Sequence, residues 1–342
     1  MSSTNSGAHN TPPNNSLTTV VSSTTAMNAG GTASAGVAGM TAPPAVGGRM
    51  RDFWRMITLN RKVGIGVLML VIFLLIAIFG PLFIHQDPNT LNAGPVLSPP
   101  TSQFWFGTTQ TGQNIFTQTI VSTRSSIFWG FVTALLIMAV STTIGLVSGY
   151  FGGTVDDVLS IIINVFLVIP GLPLAIVLAA FFPKGDLTVA LVLALTSWSW
   201  NARVIRAQTM SMRSRDFVQA AQSSGEGTLH IIFSEILPNE IAIVMSGFIG
   251  TVVYVILAAS GLQFLGLGSV TGLSWGAMLY WVNNNDAILQ GAYWWFIPPT
   301  LCIALVGTAL SLINFGVDEI ANPRLRKEAK PKASKAKKEA VA

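Results

Sequence analysis

Six apolar runs dominate the sequence, at approximately residues 63–84, 127–150, 158–182, 187–204, 241–259 and 293–315. Each is close to the ~20 residues a helix needs to cross about 30 Å of hydrocarbon. None contains Asp, Glu or Lys, and Arg203 is the single charge, at the end of the fourth. A β-barrel would instead show short segments of alternating polarity. The runs predict an all-α, polytopic membrane protein with six transmembrane helices.

Composition then removes several functions. Of 342 residues, 51% are hydrophobic and 10% charged, whereas soluble domains carry about a quarter charged residues. Cys302 is the one cysteine, so neither a disulfide framework nor a thiolate metal site is available, and it reads as inert packing. His9, His85 and His230 are too dispersed to suggest a ligand cluster, and no metal or cofactor is expected on this chain. The formal charge of +5 follows from topology rather than from nucleic-acid binding.

Residues 1–48 contain no Asp, Glu, Lys or Arg and are rich in Ser, Thr, Ala, Gly, Asn and Pro. Such a segment buries too little to offset chain entropy, so a disordered tail is expected there, with no signal peptide. The transmembrane body should cover 49–323, and 324–342 should form a basic tail suited to anionic lipid. Of the 19 Lys and Arg residues, all but Arg124 and Lys184 fall before the first run, between the end of the fourth run (Arg203) and the fifth, or after the sixth. The positive-inside rule therefore puts both termini and the 204–240 connection, with a coupling loop at about 205–238, in the cytoplasm.

Outside, the chain should present a long first loop over 85–126. Trp275, Tyr280, Trp281, Trp294 and Trp295, around the last outer connection, read as interface anchors. Asp156 and Asp157 suit the positive end of the third helix. Pro170, Gly171 and Pro173 should kink that helix. Gly145, Gly149 and Gly153 repeat at a spacing that lets two helices approach closely. For the neutral polar residues in the runs, Ser141, Thr142, Thr143, Asn164, Thr196, Ser197 and Asn201, interhelical hydrogen bonding is the favoured use; Asn164, Ser197 and Asn201 are the candidates for lining a wet path instead.

The connection after the fourth run is longer than a tether requires. Asp216 is a reasonable N-cap, followed by Phe217, Ala220, Ala221 and Ser224 at helical spacing. Gly225 breaks the run, and Leu229, Ile232, Phe233 and Ile236 form a second apolar face that Pro238 closes. Two such helices either lie flat on the lipid interface or dock into a groove on a partner protein.

Several motifs in order carry a family resemblance. Gln219-Ala220-Ala221, then Gly225, then Leu237-Pro238 resembles the cytoplasmic "EAA" loop of ATP-binding-cassette importer permeases, and Pro238 follows Gly225 by thirteen residues, the family's spacing. Phe106-Gly107-Thr108 with Gly112 resembles the outer "LGTDxxGRD" signature, and Gly149-Tyr150-Phe151-Gly152-Gly153 with Asp156 the turn after the second span. The run from Asn201 to Arg206 resembles the approach to that loop. Phe264 to Gly268, Ser274-Trp275-Gly276 and Asn322 to Arg326 resemble the end of the dipeptide, oligopeptide and nickel permease branch. Departures are Gln219 for the usual Glu, Glu235 for a basic residue or His, Ala259-Ser260-Gly261 for an acidic-Ala pair, and Gln113-Asn114 for Arg-Asp.

The resemblance implies a type I importer transmembrane domain that pairs with a second, homologous permease. Two cytoplasmic ATPases, carrying the ATP and Mg, would grip Gln219, Ala220, Ala221, Gly225, Leu229, Ile232, Phe233, Leu237 and Pro238. An extracellular solute-binding protein would deliver dipeptides or oligopeptides; nickel or another small solute is the alternative cargo. This chain has no GxxxxGK[ST] phosphate loop and is not expected to be an enzyme. A membrane scaffold that recruits a cytoplasmic partner without transport, and an uncoupled channel, are the competing classes.

Overall fold

The computed structural model describes residues 61–84 and 86–321, with side chains up to residue 317, all within one compact unit. The expected tails at 1–48 and 324–342, and the Asn322–Arg326 motif, lie outside the described residues. Where the backbone must satisfy its own hydrogen bonds in lipid, an apolar chain forms helix, and the described residues are helical apart from connecting loops and one bridge between Thr108 and Asn114.

Helix α1 spans Arg61–Phe83 and α2 spans Ile115–Phe151. Helix α3, Gly153–Val168, is followed by α4, Gly171–Phe181. Next come α5, Asp186–Thr196, α6, Ser199–Arg213, and α7, Asp216–Ser223. Helix α8 runs continuously over Thr228–Phe264 and contains a π turn at Ile231–Ile236. It is followed by α9, Trp275–Asn284, and α10, Tyr293–Ala321. Helices α1, α2, α8 and α10 are long and apolar enough to cross a membrane, and α3 with α4 adds a fifth crossing if the bent pair is one span. Large apolar side chains face outward along them, such as Leu68 and Leu82 of α1, which a bilayer solvates and water does not.

Several expectations are corrected. The first outer loop ends at residue 114, not 126, because Asn114 caps α2 by accepting from the Phe116 and Thr117 N–H groups. Thr119 and Thr123 then donate to carbonyls one turn back, so these polar residues sit in helix. The expected kink in the third run is a full break: Ile169 is extended, as a residue before proline prefers, and α3 and α4 are bent by 86°. The fourth run is two helices, interrupted at Ser197 and Trp198, where Ser141 of α2 donates to the Trp198 carbonyl at 2.7 Å. Trp275 and Trp295 are core residues, 0% and 3% exposed, not interface anchors; Trp275 packs edge-on to Phe73.

Helix α2 is the axis of the bundle. Its Ile127, Ala134 and Ile137 meet Leu193 of α5, Val255 and Ile256 of α8, and Val306 and Leu310 of α10 in one buried cluster. Toward its C-terminal end α2 lies against α6. A β-carbon on Gly145 would come within 2.9 Å of the Ala202 carbonyl, and one on Gly149 within 2.6 Å of Thr209. These two glycines are the close approach that their spacing announced. Gly153 is not part of it: it has φ +52 in the turn into α3 and nothing within 4 Å.

Candidate coupling arm and transport cavity

Helix α6 turns at Ser214 and Arg215 into α7, and α7 ends on Gly225, whose φ of +78° is costly for any other residue. The Glu226 N–H donates to the Ala221 carbonyl and the Gly225 N–H to that of Gln222, so the helix end is fully closed. Asp216 is the first residue of α7 rather than its cap; Arg215 occupies that place. Pro238 does not close the second element. The chain passes from Thr228 through the π turn into the fifth apolar run without a break, and the Leu237 N–H reaches back five residues to Ile232. The wide turn accommodates a proline that has no N–H to donate.

The arm has two faces. Val218, Ala221, Ile231, Ile232 and Ile236 are buried against Leu146 and Tyr150 of α2 and Ile205 of α6. The Gln222 amide also donates to the Tyr150 hydroxyl at 3.4 Å. Gln219, Ala220 and Gly225 are exposed, and Phe217, Leu229 and Phe233 are 36%, 70% and 54% exposed. The expected apolar faces are thus divided: Ile232 and Ile236 point inward while Leu229 and Phe233 point out, and Val218 takes the inward place expected of Phe217. Leu237 and Pro238 are half-buried at the root of α8. Glu226, His230 and Glu235, separate in sequence, come within 4.8 Å on the exposed side, where they form a solvated cluster.

Behind the arm, Arg206 of α6 pairs through Nε and Nη2 with both oxygens of Asp156, at the start of α3. Ser148 of α2 donates to the same carboxylate at 2.6 Å. That hydrogen-bonded carboxylate holds the Arg206 guanidinium above its ordinary pKa. The sequence marked Asp156 as a helix-end charge within the turn motif and Arg206 as the end of the motif leading into the loop; nothing local paired the two across fifty residues.

A cavity of about 590 Å³ lies where the broken helices meet α8 and α10. Ser197 and Asn201, two of the candidates from the sequence, line it with Phe166, Trp200, Ser246, Thr251, Tyr254 and Asn314. Asn201 donates to Thr251 at 2.9 Å and Ser197 to the Tyr254 hydroxyl at 3.2 Å. Asn164 is not part of it; it lies on the exposed face of α3. Thr251, Tyr254 and Asn314 were missed because single polar residues in long apolar runs do not announce which way they face. Among the described residues, no Asp, Glu, His, Lys or Arg lines this cavity.

Residues 141–327, which hold the arm and every residue lining the cavity, match the family of binding-protein-dependent transport system inner membrane components. The chain belongs to that family. Residues 48–100 also match the N-terminal TM domain of oligopeptide transport permease C. The chain is similar to the oligopeptide transport system permease protein OppC of Bacillus subtilis (strain 168), 32% identical over 78% of this chain and 87% of the relative. It is similar to the dipeptide transport system permease protein DppC of the same organism, at 31% over 81% and 86%. The glutathione transport system permease protein GsiD of Pectobacterium atrosepticum is 29% identical over 81% and 91%. The protein is therefore a multi-pass permease component of the inner membrane.

Proposed function

We propose that this chain is one permease subunit of an ATP-driven peptide importer. It encloses half of a path with a second, homologous permease, takes solute from an extracellular binding protein, and is driven by two cytoplasmic ATPases that bind ATP and Mg. The observation that carries this reading is the two-faced arm. Its inner face is locked to α2 and α6, and its outer face leaves Phe217, Leu229 and Phe233 uncovered. A partner helix or groove can press on such a face, and the load reaches the bundle. Relatives named for oligopeptides, dipeptides and glutathione support a peptide cargo. The neutral cavity, with its paired hydroxyls and amides, suits solutes recognised through their main-chain amides.

In this reading the chain crosses six times with both termini in the cytoplasm. The α3–α4 pair forms the third crossing, and α5 with the start of α6 the fourth. The permease body covers 49–323 between the two tails. Gln219, Ala220, Gly225, Leu229 and Phe233 make the ATPase-facing side of the arm, Ala221 and Ile232 its buried inner side, and Leu237 and Pro238 its root, while Ser197 and Asn201 line the path. The test is uptake of radiolabelled dipeptide into vesicles holding this chain, its partner permease and the ATPases, with binding protein outside. Uptake that requires ATP is expected. No uptake would indicate a scaffold, and flux without ATP a channel.

A further inference from the structure

Glu240 stands in the first turn of the long apolar part of α8, four residues beyond the end of the π turn. It is 1% exposed. Its Oε2 accepts from the Thr209 hydroxyl of α6 at 3.0 Å, and among the described residues its Oε1 has no donor. Thr209 is itself fully buried and rests on Gly149 of α2. A buried carboxyl with one of its two oxygens unsatisfied is a destabilising choice, where a leucine would pack without loss.

The position of the pair suggests what that choice achieves. The arm reaches α8 through the π turn, whose i→i+5 bonding makes it the weakest link in an otherwise α-helical rod. Load applied to the arm can be absorbed there. Helix α6 enters the arm from its other end, as unbroken α-helix tied to α2 by Gly145 and Gly149 and to α3 by Arg206. The Thr209–Glu240 bond joins α6 to α8 beyond the π turn and so bypasses it.

We propose that Glu240 is a positioning residue for transport: by holding Thr209 it makes α8 move with α6 when the arm is displaced. This rests on the coupling reading above. The readout is solute imported per ATP hydrolysed, in vesicles containing the full complex at matched permease levels. Glu240→Leu and Thr209→Val should each retain ATP hydrolysis and lower that ratio about tenfold, the equivalent of one buried hydrogen bond. The double variant should be no worse than either single change, because both remove one bond. Glu240→Gln, which still accepts from Thr209, should stay near the parent ratio.

An unchanged ratio in Glu240→Leu and Thr209→Val overturns the proposal and leaves the coupling reading standing. A Glu240→Gln variant as poor as Glu240→Leu also overturns it, by showing that charge and not the bond matters. If Glu240→Leu does not insert, the near-isosteric Thr209→Val decides alone. Absence of ATP-driven uptake in the parent complex is a different result, which removes the coupling reading and this inference with it.

Discussion

The arm and the cavity lie at different depths of the same bundle, and they are built in opposite ways. The arm is one continuous segment, from α6 through α7 into α8, and its shape is set by backbone rules at a few residues. The cavity is assembled from helix breaks and from single polar side chains of α5, α6, α8 and α10, drawn from residues more than a hundred positions apart. One region is specified locally and stiffly. The other depends on which way isolated residues happen to face. Under the proposed function the arm transmits load and the cavity receives solute, so the two regions are built for different tasks.

Four substitutions sharpen that contrast. Val218→Asp puts a charge into the closed inner face of the arm, at a cost of about 3 kcal/mol or more; the chain should be lost from the membrane, as measured by immunoblot of membrane fractions. Gly225→Val meets no side chain, so its whole effect is the φ of +78°, about 1–2 kcal/mol and more for a β-branched residue. Insertion should be normal and uptake abolished, because the two halves of the arm lose their relative angle. Phe233→Asp, on the outer face, should insert normally and reduce ATP-driven uptake about a hundredfold, within the range of a central interface residue. Should Phe233→Asp disturb insertion as strongly as Val218→Asp, the two faces are not distinct.

The smallest effect belongs to the cavity. Tyr254→Phe removes the acceptor for Ser197, a bond worth about 1 kcal/mol, and should alter the KM for uptake about threefold with the maximal rate retained. A collapse of transport in this variant would mean that the path is as tightly specified as the arm.

The same contrast explains what could be read in advance. Gly225 was legible because one residue type answers a positive φ, and Pro170 because proline ends the helix before it. Gly145 and Gly149 were legible as a spacing, although Gly153 shared the spacing and not the role. The break at Ser197–Trp198 was not legible: no proline or glycine marks it, and the hydroxyl that takes up the Trp198 carbonyl comes from α2. The faces of the arm were partly misassigned because a π turn shifts the angular register that an α-helical period assumes. Glu240 passed unnoticed as one acidic residue at the edge of an apolar run. Its burial is a property of the assembled bundle.

The central claim is that the outer face of the arm is covered by protein. The most direct measurement places a photo-crosslinker at Leu229, by Leu229→Cys in a Cys302→Ser background, in the assembled transporter in vesicles. The account predicts that the label joins this chain to an ATPase subunit and that lipid-borne quenchers do not reach it. A label quenched from the bilayer, with no ATPase adduct, would contradict it.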